Sequence, residues 1–295
     1  MNIPLFPQSR PFTLDDKPVI DEFLKKYPPL ISEMTFTNLF AWQDAYRFEL
    51  AVLEGCLLVV SKKDQNHINI FDPVGSEEEK KRAVIMALSR DNVKFIRISE
   101  DTVNSLKDEK IFKINEDRDN FDYVYLSKDL IELKGADFDA KRNFLKRFKD
   151  SYKFEYKEIT SQNVEVCLAF EEEWCLARDC YRTEGLMCEK LAVEKMLKNF
   201  KHLSIKGGMI EINGKVEAVS LGEPLNQDTF VVHVEKANGD YVGIYQAINQ
   251  LFCENEAKGF IYINREQDLG VSGLRKAKGS YHPHHYIKKF SVERV

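Results

Sequence analysis

One order of predicted elements occurs twice along the chain, and this repetition limits the possible folds more than any other feature. In the second half, residues 209–221 form two alternating apolar segments around Asn213-Gly214, a pair that suits a tight β-hairpin turn. A strand at 229–234, a helix and a strand at 260–263 follow. The helix is predicted from apolar residues at helical spacing, which are Ile244, Ala247, Ile248, Leu251 and Phe252.

The first half repeats this order. Residues 48–52 and 57–60 predict a hairpin, and 67–71 predict the next strand. A helix then begins after Ser76, with Glu79 completing a capping box, and a strand at 94–98 closes the unit. Corresponding elements lie roughly 160 residues apart, which suits two domains of one architecture. The sequence therefore predicts an α/β chain of mixed α+β type, with domains at 1–130 and 131–295.

Composition narrows the class of protein. The chain has 295 residues, 43% apolar and 31% charged, as in ordinary soluble globular proteins. A net charge of −5 argues against non-specific nucleic-acid binding, but it allows a local basic patch. No segment has the length of a membrane span or the pattern of a signal peptide, so we expect a cytoplasmic location. The six cysteines have no CxxC spacing and are expected to be reduced thiols, with Cys175 and Cys180 five apart on one predicted helix.

Two segments carry a resemblance to a known family. The element order is similar to that of the GCN5-related acyltransferase (GNAT) fold, also called acyl-CoA N-acyltransferase-like. "YLSKDLIELKGADFDAKRNFLKRF" (125–148) and "EQDLGVSGLRKAKGSYHP" (266–283) resemble motifs of a tandem-GNAT family. That family is related to the C-terminal domain of phosphatidylglycerol lysyltransferase and is similar to the Fem-type transferases. The resemblance implies two tandem GNAT-like domains and, as in Fem-type relatives, an aminoacyl-tRNA donor.

Polar residues follow the predicted strand at 260–263. In an open α/β sheet this position is the carboxyl end, where ligands bind. A short helix after Ser272 would present free N–H groups and nearby cations to an anion. The alternative is a glycine-rich turn followed by solvated cations. The predicted ligand-binding residues here are Asn264, Glu266, Asp268, Arg275, Lys276, Lys278 and Tyr281.

The predicted helix at 139–153 is a second cationic feature. Its cations follow one face, and such a face can follow the phosphates of a transfer RNA. The alternative is an ordinary solvated face. The cations are Arg142, Lys146, Lys149 and Lys153. The family-like part of the helix makes Arg142 and Asn143 the predicted ligand-binding residues.

The end of the strand at 229–234 supplies the predicted catalytic residues, His233 and Glu235. Burial can bring such groups toward neutral pKa values, which suits a general acid or base. A core position for His233 is the alternative. The following loop, 236–243, departs from the GNAT pyrophosphate loop because Asp240 would repel a pyrophosphate, and this disfavours coenzyme A. The histidines of 282–285 have no complementary ligands in the sequence, so we predict no metal site.

Three functional interpretations remain open. The first is an acyltransferase that moves an aminoacyl group from an aminoacyl-tRNA-like donor to an amine or hydroxyl of a lipid or peptide. The second is a coenzyme A-dependent N-acyltransferase, and the third is a non-catalytic binding module on the same fold. In each, the second domain is expected to carry the ligand cleft and the first domain to be mainly structural.

A double change tests the predicted anion site. We expect Lys276 and Lys278 to be exposed, so replacing both with alanine should hardly affect the fold. Ligand binding should weaken at least tenfold, because a charge-assisted hydrogen bond contributes about 1.5–3 kcal/mol. Asp268 is expected to orient one of these cations or Arg275 rather than to act as a base.

Overall fold

The computed structural model describes residues 3–295, which form two compact units. The first unit contains the described residues up to Asp122, together with Gln267–Leu274 and Tyr286–Val295. The second contains Tyr123–Glu266 and Arg275–His285. The predicted division placed the boundary near residue 130 and the whole of 131–295 in one domain. The division in the structure differs from this prediction because two later segments belong to the first unit.

Helices and strands alternate along most of the chain. The helices are α1 Lys17–Lys26, α2 Phe36–Tyr46, α3 Glu77–Ala87, α4 Glu100–Leu106, α5 Ser127–Glu132, α6 Asp139–Ser151, α7 Val164–Ala177, α8 Glu184–Lys198, α9 Ile244–Glu256 and α10 Ser272–Gly279. The strands are β1 Phe48–Leu53, β2 Cys56–Ser61, β3 Ile68–Ile70, β4 Val93–Ser99, β5 Phe112–Glu116, β6 Asp122–Leu126, β7 Phe154–Glu158, β8 Lys206–Ile212, β9 Lys215–Pro224, β10 Thr229–Ala237, β11 Tyr262–Asn264, β12 His285–Ile287 and β13 Lys289–Arg294.

The first sheet has the strand order β1-β2-β3-β4-β13-β5. β1 and β2 form an antiparallel hairpin, and β3 and β4 run parallel on either side of α3 in the sequence. Ser76 caps α3, with its side chain accepting from the Glu79 amide while Glu79 accepts from the Ser76 amide, as predicted. Buried aliphatic and aromatic side chains from β2, β4 and α3 fill the core of this unit.

The second sheet has the order β12-β6-β11-β10-β9-β8-β7. β8 and β9 form the predicted hairpin, and Asn213 and Gly214 in its turn have φ angles of 53° and 79°. α9 connects the parallel strands β10 and β11, and its predicted apolar stripe packs into the core around Phe230 and Phe252. Hairpin, strand, helix and strand therefore recur in both units, which confirms the predicted repeat.

The sequence pattern after the histidines predicts one last strand at 286–292, but the structure has two strands there. β12 belongs to the seven-stranded sheet and β13 to the six-stranded sheet. The ammonium of Lys289 is fully buried and lies 2.6 Å from carboxylate oxygens of both Glu33 and Asp122. This buried ion pair fixes the start of β13 in the first unit, which a strand pattern alone does not reveal.

The expectation of six reduced cysteines is wrong for one pair. α7 ends at Ala177, and Asp179 adopts a left-handed conformation with φ of 56°, so the chain turns back. Cys175 and Cys180 then lie 5.2 Å apart between Cα atoms and form a disulfide. Within residues 3–295, no helix combines the length and hydropathy required to cross a membrane.

Candidate active site in the second unit

The parallel strands β10 and β11 diverge after a short paired region. Thr229, Phe230 and Val231 pair with the three residues of β11, which ends at Asn264. β10 continues to Ala237 while pairing with β9. Residues 232–237 and the residues after Asn264 therefore border a gap at the carboxyl ends of the two strands, where open α/β sheets bind ligands.

A β-bulge places His233 at this gap. The pairing between β10 and β9 shifts between Val232 and Val234, so His233 is the extra residue. Its Nδ1 lies 2.8 Å from a carboxylate oxygen of Glu266, and its Nε2 lies 3.0 Å from one of Glu223. Burial alone would lower the pKa of His233, but hydrogen bonds to Glu223 and Glu266 outweigh burial and raise it to about 9.

This environment bears on the predicted role of His233. Near neutral pH the imidazole is protonated, and both of its nitrogens donate to carboxylates. A general base needs a free lone pair, which this imidazolium does not have. The geometry therefore favours His233 as a residue that positions Glu223 and Glu266.

Glu235, two residues further along β10, is held by two donors. One carboxylate oxygen accepts from Arg265 Nη2 at 2.8 Å, and the other accepts from Asn249 Nδ2 on α9 at 2.9 Å. The guanidinium of Arg265 lies over the rings of Tyr281 and Tyr125, at 4.9 Å and 5.7 Å from their centroids. Burial would lower the pKa of Arg265, but Glu235 together with the nearby tyrosines and Cys253 outweighs burial and raises it.

Two polar atoms beside Glu235 are buried without a hydrogen-bond partner among residues 3–295. They are Nη1 of Arg265, a donor, and Oδ1 of Asn249, an acceptor. Buried polar atoms in folded proteins nearly always have partners, and an unmet one costs about 1–3 kcal/mol. The site can thus accept a substrate that presents an acceptor to Arg265 and a donor to Asn249.

Glu235, Arg265, Asn249 and Tyr281 form one cluster, and Lys141 of α6 adds a second cation to it. Its Nζ donates to Ser280 Oγ at 2.6 Å and lies 4.1 Å from the centroid of the Tyr281 ring. Burial and the neighbouring charge of Arg265 together lower the pKa of Lys141. Tyr281 is buried, and burial raises its pKa. Tyr281 therefore joins the cluster as a neutral ring between two cations.

Lys278 and Lys276 differ in a way that the sequence did not predict. Lys276 is exposed as expected, but Lys278 is half-buried and donates to the backbone carbonyl of Arg265. The hydroxyl of Tyr125 in turn donates to the backbone carbonyl of Lys278 at 2.8 Å. The expected indifference of the fold to alanine therefore stays a prediction for Lys276 alone, because alanine at Lys278 would remove the bond to the turn that carries Arg265.

Asn264 and Glu266 lie at the predicted strand end. Asn264 is fully buried, and its side-chain oxygen accepts from the Glu266 amide at 2.8 Å. Glu266 has a φ of 56°, which turns its carboxylate to His233. Arg275 is half-buried on α10.

Three predicted ligand-binding residues lie outside this cluster. Asp268 belongs to the first unit, where it lies 3.3 Å from Arg118 and accepts from the Gly270 amide. Arg142 donates to the backbone carbonyls of Leu133 and Gly135 and pairs with Asp139, so it anchors the turn before α6. Asn143 is exposed.

The start of α9 is closed by α6. Gly243 precedes α9 with a φ of 90°, and a Cβ there would overlap the backbone carbonyl of Phe144. The Val242 amide donates to the hydroxyl of Tyr152 at 3.4 Å. Lys236, earlier in this loop, is buried in ion pairs with Glu171 and Glu189. These contacts leave little room for a pyrophosphate at this helix start.

Sequence reasoning missed Arg265, Asn249, Lys141 and Glu223. The sequence could have indicated two of them. Arg265 lies just after the end of the predicted strand 260–263, and Lys141 directly precedes the predicted residues Arg142 and Asn143. Asn249 lies on the face of α9 toward Glu235, and Glu223 is close to the end of β9, so only the tertiary structure identifies them. The rings of His284 and His285 contact each other, and residues 3–295 contain no group of three or more potential metal ligands.

The order hairpin, strand, helix and strand with a parallel strand pair occurs in both units, and it defines a tandem GNAT-like protein. The family model for the C-terminal domain of phosphatidylglycerol lysyltransferase matches residues 24–293, and the chain belongs to this family.

Solved structures share this fold. A conserved protein of unknown function from Bacteroides thetaiotaomicron is 34% identical, with a TM-score of 0.90 over 97% of this chain and 99% of that chain. L-PGS from Bacillus licheniformis is 14% identical, with a TM-score of 0.66 over 100% and 94% of the two chains. FemX is 8% identical, with a TM-score of 0.60 over 98% and 97%. No curated protein matches the chain.

Proposed function

We propose that this chain is an aminoacyltransferase that moves an aminoacyl group from an aminoacyl-tRNA-like donor to an amine or hydroxyl of a lipid or peptide. The observation that carries the proposal is Glu235 held between Arg265 and Asn249 at the strand divergence, with a buried donor and a buried acceptor beside it unpaired. The family is named for lysyl transfer to phosphatidylglycerol, which supports an aminoacyl donor.

The chemistry requires positioning, a proton acceptor and a donor for the oxyanion. The acceptor nitrogen or oxygen attacks the ester carbonyl carbon of the donor, and its proton passes to Glu235. Nη1 of Arg265 donates to the oxyanion of the tetrahedral intermediate. The intermediate collapses by breaking the bond to the ribose oxygen, which takes the proton back from Glu235. The transfer involves no oxidation or reduction.

The remaining cluster supports these steps. Asn249 Oδ1 accepts from an N–H of the aminoacyl group, and Tyr281 supplies a flat wall with Lys141 and Arg265 on it. His233 keeps the bulge and the neighbouring carboxylates in place. Coenzyme A is disfavoured as donor because α6 covers the helix start at which GNAT enzymes hold a pyrophosphate.

A donor panel tests this function. The purified chain is incubated with transfer RNA charged with labelled amino acids, in the presence of phosphatidylglycerol vesicles or an amine-bearing peptide. A parallel set contains acetyl coenzyme A in place of charged transfer RNA. We expect label to move from transfer RNA to one acceptor class. Transfer from coenzyme A alone would favour the N-acyltransferase, and no transfer by folded protein would favour a binding module.

A further inference from the structure

A cavity of about 290 Å³ lies within the first unit. It opens at the carboxyl ends of the parallel strands β3 and β4, since Asp72 follows β3 by two residues and Ser99 ends β4. Both residues line the cavity. Part of its wall is apolar and is formed by Pro29, Ile31, Met34 and Val74. The position within the sheet is the one at which open α/β sheets bind small molecules.

Asp72 supplies the polar end of this cavity. The residue is 6% exposed, and its Oδ2 accepts from Ser99 Oγ at 2.7 Å and from Lys80 Nζ at 3.2 Å. Its Oδ1 is buried and has no hydrogen-bond partner among the described residues 3–295. An unmet carboxylate oxygen in such a position is costly, so the cavity lacks one hydrogen-bond donor.

The charges around the cavity indicate which kind of donor fits. Lys80 already lies between Asp72 and Thr102 Oγ1, which is 3.5 Å from its ammonium. The lining contains two cationic side chains and three carboxylates, Lys26, Lys80, Asp72, Glu77 and Asp101. Glu77 and Asp101 lie toward solvent and are screened, whereas the unmet Oδ1 of Asp72 is a buried carboxylate oxygen; because charge-assisted hydrogen bonds are roughly twice as strong as neutral ones, a cationic donor is favoured over a neutral one.

We propose that this cavity binds a small primary amine with a short aliphatic body. The ammonium donates to Asp72 Oδ1, with the hydroxyl of Thr102 beside it, 3.1 Å from Ser99 Oγ. The aliphatic body packs against the apolar wall. The volume corresponds to roughly ten water-sized groups, which is enough for a five-carbon amine. This site does not depend on the proposed transfer reaction, and it assigns a binding role to a unit that the sequence suggests is mainly structural.

Three probes of nearly equal shape test the proposal, namely pentylamine, 1-pentanol and pentanoate. Binding is followed by backbone amide shifts in heteronuclear NMR spectra of the full chain. We expect pentylamine to bind most tightly and pentanoate least, with shifts centred on Val74, Ser99 and Thr102. Asp72→Asn should weaken pentylamine binding at least tenfold. The matched control Asp101→Asn removes an exposed carboxylate at the same cavity and should change binding less than about twofold.

Several outcomes would overturn the proposal. Pentanol binding as tightly as pentylamine would show that charge plays no part, and equal losses in the two variants would show only surface attraction. Shifts centred elsewhere, or none, would exclude the cavity as the site. If Asp72→Asn does not fold, the probe ranking in the unchanged protein still decides. Thr102→Val, which preserves side-chain shape, then supplies the variant and should lower pentylamine affinity severalfold.

Discussion

His233 shows how a single side chain can link the fold to pH. Its imidazole is buried between Glu223 and Glu266, whose hydrogen bonds outweigh burial and raise its pKa from 6.5 to about 9. A raised pKa in the folded state means that protonation stabilises the fold. This stabilisation is complete below pH 6.5 and is lost as pH rises through about 9.

We therefore predict that stability falls between pH 6.5 and 9 by an amount on the order of 3 kcal/mol from this residue. Thermal unfolding across this range should show a shallower pH dependence in His233→Gln than in the unchanged protein. The exposed His67 gives a matched control, and His67→Gln should keep the original slope. An NMR titration that places the His233 pKa near 6.5 would refute the argument.

Residue roles were the least predictable level from sequence. Lys141, not Arg142, joins the Tyr281 cluster, although the two are adjacent on α6. Adjacent helical residues point about 100° apart, so only the neighbouring elements decide which one reaches the site. His233 was predicted at the strand end, but the two carboxylates that set its charge come from other segments of the chain.

At the scale of elements, α6 packs over the start of α9, and this packing disfavours coenzyme A as the donor. Gly243 and Gly214 both have positive φ angles, of 90° and 79°. A Cβ at Gly243 would overlap the Phe144 carbonyl, whereas one at Gly214 meets no described atom within 4 Å. A comparison of substitutions at these two glycines therefore distinguishes the cost of backbone strain from the cost of displacing α6.

We predict that Gly214→Ala costs about 1–2 kcal/mol, because its left-handed backbone disfavours a side chain. Gly243→Ala carries the same strain and must also displace α6, so its cost should be clearly larger. Midpoints of thermal unfolding for both variants measure the difference. Equal midpoints would mean that α6 does not cover the start of α9.

Elements were largely predictable because local patterns define them. The capping box at Ser76, the Asn213-Gly214 turn and the stripe of α9 are each read within a dozen residues. The break between β12 and β13 and the Cys175–Cys180 turn were missed. Both depend on partners or backbone angles that periodicity does not carry, such as the pairing of Lys289 with Glu33.

At the scale of the whole molecule, the chain returns to its first unit at the end. β13 lies between β4 and β5 in the six-stranded sheet, and its Lys289 neutralises buried carboxylates. The first unit is therefore completed only by residues more than 170 positions after β5.

We predict that deletion of residues 289–295 unfolds the first unit while β9 and β10 remain structured, because the core around them contains none of these residues. Hydrogen exchange measured by mass spectrometry should show lost protection in β4 and β5. Deletion of the exposed Val295 alone is the control and should leave protection unchanged. Protected β4 amides in the longer deletion would contradict this account.

The central claim is that Glu235 takes the acceptor proton during aminoacyl transfer, and a matched pair of variants tests it most directly. Glu217 is buried in the second unit and, like Glu235, accepts from an asparagine amide, Asn238 Nδ2 at 3.0 Å, but it lies outside the cluster. The measurement is the rate of label transfer from charged transfer RNA under the conditions of the donor panel. We predict that Glu235→Gln lowers this rate about a hundredfold or more, while Glu217→Gln stays near the unchanged rate. Transfer that survives in Glu235→Gln, or that falls equally in both variants, would contradict the claim.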